Sequence, residues 1–543
     1  MSAAPIWLRH EAGMMNWNQH IALPAMQTET HFDGRDMACF VDRPRSFYAL
    51  FAQAAASTPE HEAISCNGQR FTYAQAEAEV SRIAAGLVAQ GLRAGERVVL
   101  FVSNRPEFVF VLFALQKIGV IAVPVGTREQ GPGLAYILHQ CSAAAIVFDS
   151  ELADRLPPIG SMPTLRLRLA VGTAVEGALP LSALSGEAVE VAAVNEEDCA
   201  AILYTSGTTG NPKGAMLTHL NIVHSVMHYQ FCIKLCAQDR AALAVPASHV
   251  TGLIAIIAAI VHVAGTLVIV PEFKAAEFVA LAARERISYS LMVPAMYQLC
   301  LLQPAFRTVD LSAWRVGGFG GAPMPVATVQ SLAQAVPGLT LVNCYGATET
   351  TSPATIMPLG QSAIHNDSVG ITVPCGAIRV MDAAGEAVAP GQSGELWIAG
   401  AMVVPGYWDN PQATKQGFAH GYWKSGDVGS LDAQGLVRIF DRIKDMINRG
   451  GYKIYSVEVE NVLMALPGVQ EAAVVGDPCP VLGERVHAYV YAPNARLDAD
   501  AVRQYCSTRL ADYKVPEKII FVNAPLPRNP NGKLLKRQLR MAG

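Results

Sequence analysis

Between Tyr204 and Gly214 the chain places four hydroxyls (Thr205, Ser206, Thr208 and Thr209), three glycines (Gly207, Gly210 and Gly214) and one cation, Lys213. The apolar run 199–204 just ahead of them has the length and composition of a buried strand. A strand that empties into such a loop aims backbone N–H groups and hydroxyl donors at one small volume, and Gly207 and Gly210 let a ligand approach the backbone. Phosphate oxygens suit that donor set. The loop is not a Walker A sequence, because Lys213 is followed by Gly214 and Ala215 rather than by Ser or Thr. A polar surface loop is the competing reading, but the strand ahead of it and the closing Lys213–Gly214 favour a phosphate site. Four more stretches carry groups of the same kind. They are 343–350 with Tyr345, Thr348 and Glu349, 422–429 with Gly426 and Asp427, 441–451 with Arg442 and Lys444, and 527–533 ending in Lys533. Taken singly, a Thr–Glu pair or a lone Asp or Arg reads as solvated surface.

These residues need a scaffold, and the apolar pattern describes one. Strand-like runs at 98–102, 145–148, 242–245, 291–293 and 339–342 alternate with stretches such as 74–90 and 107–119, where apolar residues recur at three and four. That alternation predicts an α/β fold with parallel sheets covered on both faces. From about Val369 the strands shorten and turns separate them (382–385, 390–391, 432–435), as in antiparallel strands or a small β-barrel. After Arg442 a compact αβ pattern restarts, with helices near 456–465 and 499–510 and strands at 472–475 and 487–490. The expected organisation is an N-terminal extension over 1–44, a large domain over 45–440 and a small α+β domain over 441–543, hinged near 441–444.

Composition narrows the class. A chain of 543 residues should hold more than one core, and 51% hydrophobic against 16% charged residues excludes global disorder. A net charge of −4 argues against a nucleic-acid-binding surface. Eleven cysteines without CxxC or Cys/His ligand spacing read as reduced thiols in a cytoplasmic protein with no structural zinc. The first residues lack the pattern of a signal peptide, and Met14 or Met15 is an alternative start. Residues 252–270 are uncharged and long enough to raise a membrane span. His262, Gly265 and the β-branched 266–270 instead predict a buried helix, a turn at 264–265 and a buried strand.

Taken together and in this order over residues 45–540, the five motif segments resemble the acyl-adenylate-forming superfamily, which includes acyl- and aryl-CoA ligases, luciferases and peptide-synthetase adenylation domains. The resemblance implies ATP, Mg²⁺ and coenzyme A as reactants and a small lid that rotates on a large AMP-binding domain. It gives Thr205, Ser206, Gly207, Thr208, Thr209 and Lys213 to the phosphates, Thr208 and Glu349 to magnesium, and Thr348 to the same nucleotide site. By the same resemblance Tyr345 lies against adenine, with Gly320, Gly321, Ala322 and Gly346 forming walls of the adenine and acyl sites. Asp427 is similar to the ribose-binding carboxylate, with Arg442 reinforcing it. Lys533 resembles the lysine that bridges carboxylate and α-phosphate, and His249 the histidine that gates the acyl site. Lys444 falls at the hinge, and Gly450 and Gly451 in the loop along the pantetheine tunnel. One departure stands out: some relatives carry a lysine in that loop that assists thioester formation, where this chain has Asn448.

The implied reaction is electrostatic in character. An anion attacks the α-phosphorus of a polyanion while pyrophosphate departs, so the catalyst needs cations and oriented donors more than a general base. The acyl pocket would include His249, Val250, Thr251, Leu253, Phe319, Gly346 and Ala347, an apolar set. Residues 241–271 contain no Asp or Glu to answer a substrate ammonium. The expected acid is therefore a medium- or long-chain fatty acid or an aryl acid, joined to CoA. A free-standing enzyme that loads a carrier protein and a non-catalytic nucleotide-binding relative are the alternatives. A monomer or homodimer is expected.

Overall fold

The computed structural model describes residues 15–205, 211–322, 324–493, 495, 497–528 and 534–542. They fall into two compact units. The first comprises residues up to 378 with 398–423 and 433–436; the second comprises 379–397, 424–432 and everything from 437 onward. The second unit thus includes three segments, 379–397, 424–432 and 437–440, that the sequence pattern places with the large domain.

Two sheets carry the first unit. One has seven strands in the order Lys213–Thr218, Cys199–Thr205, Ile121–Pro124, Arg97–Phe101, Ala145–Asp149, Leu167–Val171 and Leu179–Pro180. All its pairings are parallel except the first, a hairpin with Thr205 opposite Lys213. Its central strands are continuous apolar runs because both faces are covered: Val98, Val99, Leu100 and Phe101 are wholly buried. The second sheet has nine strands. Its parallel centre runs Thr340–Tyr345, Val316–Phe319, Tyr289–Met292, Arg240–Leu243, Thr266–Ile269 and Glu62–Cys66. Helix Tyr73–Ala89 begins in a reciprocal cap between Thr72 and Gln75, and helix Pro106–Lys117 starts on proline and is buried on almost every side.

The expected alternation is present, with shifted ends. The strand read at 242–245 lies at Arg240–Leu243, and the one read at 339–342 runs on to Tyr345, making Tyr345 a strand residue. The apolar stretch 252–270 resolves into a buried π-helical segment Thr251–Ala258, helix Ala259–His262, a left-handed turn at Ala264 (φ 56°) and strand Thr266–Ile269. Among the described residues no helix is long and apolar enough to cross a membrane. Residues 26–40, where the sequence shows no clear period, form an antiparallel hairpin of Met26–His31 and Arg35–Phe40.

In the second unit, Asp427 to Leu431 pairs antiparallel with Val437–Arg442. The carboxy-terminal sheet has the strand order Tyr452–Ile454, Ile447–Arg449, Gly483–Tyr491, Glu471–Cys479, and Lys518–Val522 lies parallel to Gly483–Tyr491. Helices Ser456–Met464 and Ala499–Ser507 contribute Val459, Leu463, Val502 and Cys506 to its core. Between Arg449 and Tyr452 the turn is Gly450–Gly451, with φ 60° and 90°. A two-residue hairpin loop of that kind needs positive φ at both centres, and glycine takes it without steric cost.

Candidate nucleotide and acyl site

The hydroxyl-rich loop leaves strand Cys199–Thr205 and returns as Lys213–Thr218. Ser206, Gly207, Thr208 and Thr209 lie outside the described residues, as does Lys533. The two ends of the loop are described. Lys213 sits with its Nζ 5.3 Å from the centre of the Tyr407 ring. The Tyr407 hydroxyl donates to Glu349 Oε1 at 2.9 Å, and the Thr205 hydroxyl reaches the same oxygen at 3.4 Å. Thr205, Lys213, Glu349 and Tyr407 therefore form one polar group at the mouth of the loop.

Each member is positioned by backbone. Thr348–Thr350 is a short 3₁₀ turn directly after strand Thr340–Tyr345, and it buries Thr348 and Glu349 to 9% and 7% exposure. The Thr350 hydroxyl accepts the Ala347 N–H at 2.9 Å, which closes the turn. The Val404 N–H donates to the Glu349 carbonyl at 3.0 Å. Tyr407 is placed by its own backbone, bridged to Ala215, while the Trp408 N–H donates to the Gly214 carbonyl at 2.7 Å. Burial and the neighbouring Glu349 carboxylate both push the Tyr407 phenol well above its ordinary value, so it stays a donor at neutral pH. A buried carboxylate steadied by hydroxyl donors beside a phosphate-type loop is the hard-oxygen donor that magnesium takes alongside water and phosphate. The residues present fit that ion.

Other expected residues gather at the carboxyl ends of parallel strands, where open α/β sheets bind ligands. Gly320, Gly321 and Ala322 follow Val316–Phe319. Tyr345 ends the adjacent strand and Gly346 and Ala347 follow it, with Phe319 in register with Asn343. A Cβ on Gly320 would collide with the Cys344 carbonyl, so glycine lets these two chains approach. His249, Val250 and Thr251 follow Arg240–Leu243 and open the π-helical segment. The Thr251 N–H donates to His249 Nδ1 at 3.3 Å, and the Thr251 hydroxyl lies 3.2 Å from the same nitrogen. Nδ1 is thus an acceptor, and in the neutral ring Nε2 carries the proton. A Cβ on Gly252 would meet the Pro246 carbonyl, which explains glycine at the start of this irregular helix.

The second unit groups its own candidates. Asp427, 4% exposed, is directly opposite Arg442 and lies 3.0 Å from its Nε. Asp441, also 4% exposed, accepts the Ser456 hydroxyl at 2.7 Å and the Arg442 N–H at 2.7 Å. Lys536 donates to Ser456 at 2.6 Å and pairs with Glu460 at 2.7 Å. Lys444 is exposed in the turn that follows Arg442, its carbonyl accepting from Arg540 at 3.0 Å. Gly450 and Gly451 have a structural duty in their turn, as described above. The Asn448 N–H donates to Glu484 at 2.7 Å.

Tyr407 is the residue that the sequence does not disclose. It follows Pro405 and Gly406 and precedes Trp408, so it reads as an aromatic at a turn, 194 positions after Lys213 in the chain. Only the pairing of its segment beside Lys213–Thr218 brings it to Glu349.

Comparison with known proteins identifies the family of the chain. Residues 51–408 match the model of the AMP-binding enzyme family, and 458–533 match that of the AMP-binding enzyme C-terminal domain. A feruloyl-CoA synthase of an Amycolatopsis species is 34% identical over 487 residues, covering 90% of this chain and 96% of that protein. The long-chain-fatty-acid–CoA ligase FadD13 of Mycobacterium tuberculosis is 34% identical over 475 residues, covering 87% and 93%. Among solved structures, the anthranilate CoA ligase AuaEII in complex with anthranoyl-AMP superposes with a TM-score of 0.86 at 26% identity, covering 92% of this chain and 98% of that one. The o-succinylbenzoate coenzyme A synthetase of Bacillus subtilis in complex with ATP and magnesium ion gives 0.80 at 28% identity, covering 90% and 99%.

Proposed function

From the premise that this chain belongs to the AMP-binding enzyme family of acyl-adenylate-forming ligases, we propose that it activates a hydrophobic carboxylic acid with an uncharged tail, aryl or medium- to long-chain aliphatic. As an AMP-forming acyl-CoA synthetase it uses ATP, Mg²⁺ and coenzyme A. The acid's carboxylate attacks the α-phosphorus and pyrophosphate leaves. The CoA thiol then attacks the carbonyl carbon of the acyl-adenylate and AMP leaves.

The observation that carries the residue assignments is the convergence of Thr205 and Tyr407 on Glu349, with Lys213 against the Tyr407 ring. Lys213, with Thr205, Ser206, Gly207, Thr208 and Thr209, binds the departing phosphates. Glu349 and Thr208 hold the magnesium ion, which when bound neutralises phosphate charge; Thr348 sits in the same turn. Tyr407 orients Glu349 through its 2.9 Å hydrogen bond. Tyr345 and Gly320 to Ala322 flank adenine, Asp427 and Arg442 take the ribose, and Lys533 neutralises the attacking carboxylate and α-phosphate. Lys444 is the hinge position, at a domain boundary near residue 441. Gly450 and Gly451 hold the loop along which pantetheine runs. His249, set by Thr251, guards the entry of acid and then of thiol.

The nature of the acid rests on what the acyl side lacks. No carboxylate lies within 241–271, and the π-helical wall presents Leu253 and its wholly buried neighbours Ile254 to Ala258. A buried ammonium would have no counter-charge from this segment. The feruloyl and long-chain fatty-acid relatives, at equal identity, support the same class. The test is a panel of aryl acids, fatty acids of graded length and amino acids, with AMP release followed with and without CoA. CoA-dependent turnover with apolar acids is expected; preference for an amino acid, or turnover indifferent to CoA, refutes the assignment.

A further inference from the structure

The hairpin of residues 26–40 belongs to none of the motifs used so far, yet it assembles a group of metal-ligand side chains. Gln27 lies opposite Cys39 and Glu29 opposite Met37. Strand alternation therefore puts Glu29, His31 and Cys39 on one face, and their carboxylate, imidazole and thiol come within 4.8 Å of one another.

His31 is held between two carboxylates. Its Nδ1 is 2.9 Å from Glu197 Oε1 and its Nε2 is 3.1 Å from Glu29 Oε2. A neutral imidazole carries one N–H, so one contact is a hydrogen bond and the other needs a second proton or a cation. The surrounding charge favours a cation. Arg43 bonds Glu29 at 2.7 Å through both terminal nitrogens and also bonds Glu196, to which Arg45 adds a contact at 2.9 Å. Together with Glu197 that makes three carboxylates against two guanidinium groups. Behind them Cys39 is wholly buried, and burial followed by the Glu29 carboxylate pushes its thiol up to about 12.

We propose that Glu29, His31 and Cys39 bind one borderline-soft divalent cation of the zinc type, with Glu197 fixing the imidazole from outside. Nitrogen and oxygen ligands at about 2.0–2.1 Å on a tetrahedral ion lie about 3.3 Å apart. The 3.1 Å between His31 and Glu29 is close to that edge. The thiol must close by about an ångström at most, and it gives up its proton on binding. Glu197 on Nδ1 leaves the Nε2 lone pair for the metal, the carboxylate–histidine arrangement by which outer residues set a ligand's tautomer. Water completes the fourth position. The ion would clip the two strands of the hairpin together. Cysteine spacing misses such a site because its ligands sit two apart on one strand and across the pair on the other.

The test uses the full-length protein, stripped with a chelator and dialysed against zinc chloride. One equivalent is expected to remain, raising the melting temperature, and Co²⁺ in its place should show thiolate-to-metal charge transfer. His31→Gln and Cys39→Ser should each weaken zinc binding at least tenfold, and Glu197→Gln roughly 10–100-fold. Cys236→Ser, at an exposed thiol, should change nothing. Failure of the wild type to hold stoichiometric zinc overturns the site. So does undiminished binding by folded His31→Gln or Cys39→Ser protein, or loss of the ion in Cys236→Ser.

Discussion

Acidification from pH 7.5 to 5 should destabilise the first unit, and the cause lies in four buried histidines, three on helix His219–Cys232 and the fourth, His262, ending helix Ala259–His262. His219 Nδ1 accepts the Phe47 N–H at 3.0 Å, His224 Nε2 the Phe40 N–H at 3.2 Å, and His228 Nε2 the Cys375 N–H at 3.3 Å. His224 also places Nδ1 2.9 Å from the Leu220 carbonyl. The neutral ring satisfies both contacts, whereas a second proton would face a backbone N–H. Burial accordingly lowers His219, His224 and His262 from 6.5 to about 4, and holds His228 well below 6.5. With the folded value depressed, the unfolded chain binds the extra protons, so stability is lost as pH falls below 6.5 and the loss is complete near 4. At pH 5 each of the three residues near 4 costs about 2 kcal/mol, some 6 kcal/mol together. For a unit of this size that lowers the melting temperature by roughly 5–10 °C. Glu29 and Glu196, both held below the ordinary carboxylate value, titrate at lower pH, and Glu460, raised by burial, acts in the opposite sense and belongs to the second unit.

Calorimetry at pH 7.5, 6 and 5 at a fixed scan rate measures the slope, with His224→Gln as the diagnostic variant. Glutamine can accept from Phe40 and donate to Leu220 but cannot titrate. The variant should start less stable at pH 7.5 and lose about 2 kcal/mol less on acidification to pH 5. A flat wild-type profile between pH 7 and 5 would refute the reasoning, as would an unchanged slope in His224→Gln. Because the Thr218 hydroxyl that caps this helix ends the strand begun by Lys213, activity should fall with the same pH dependence when assayed near the melting temperature.

Three predictions concern the site. Tyr407→Phe removes one donor from a buried carboxylate and should raise the half-saturating Mg²⁺ concentration roughly 10–100-fold with kcat at saturating Mg²⁺ little changed; an unaltered Mg²⁺ dependence of pyrophosphate exchange would show that Tyr407 does not act through the metal. Thr251→Trp should depress kcat/KM for long or bulky acids while sparing short ones, and an unchanged profile across chain lengths would remove Thr251 from the pocket. Lys533→Ala should slow adenylation about 10²–10³-fold yet convert supplied acyl-adenylate and CoA at close to the wild-type rate, and an equal loss in both steps would refute a role confined to the first.

Features local in sequence were legible: a buried strand ahead of a hydroxyl-rich loop, an alternation of strand and helix periods, and ordered motif segments. The apolar run 252–270 was readable as helix, turn and strand because His262, Gly265 and the β-branched tail break its uniformity. Its π-helical geometry was not, since that depends on a backbone approach between Gly252 and Pro246 that no local pattern records. Tyr407 and the Glu29–His31–Cys39 group escaped for a related reason. Each is placed by pairing across strands, Tyr407 opposite Ala215 and Cys39 opposite Gln27. Cross-strand register is set by the whole sheet. The buried histidines extend the argument: helix His219–Cys232 reads from sequence as a polar-spotted apolar segment, and nothing in its spacing tells that three imidazoles serve as acceptors for distant N–H groups. Where a polar side chain answers a backbone group 147 to 184 residues away, its protonation state becomes a property of the tertiary fold, and the sequence names the residue without naming its charge.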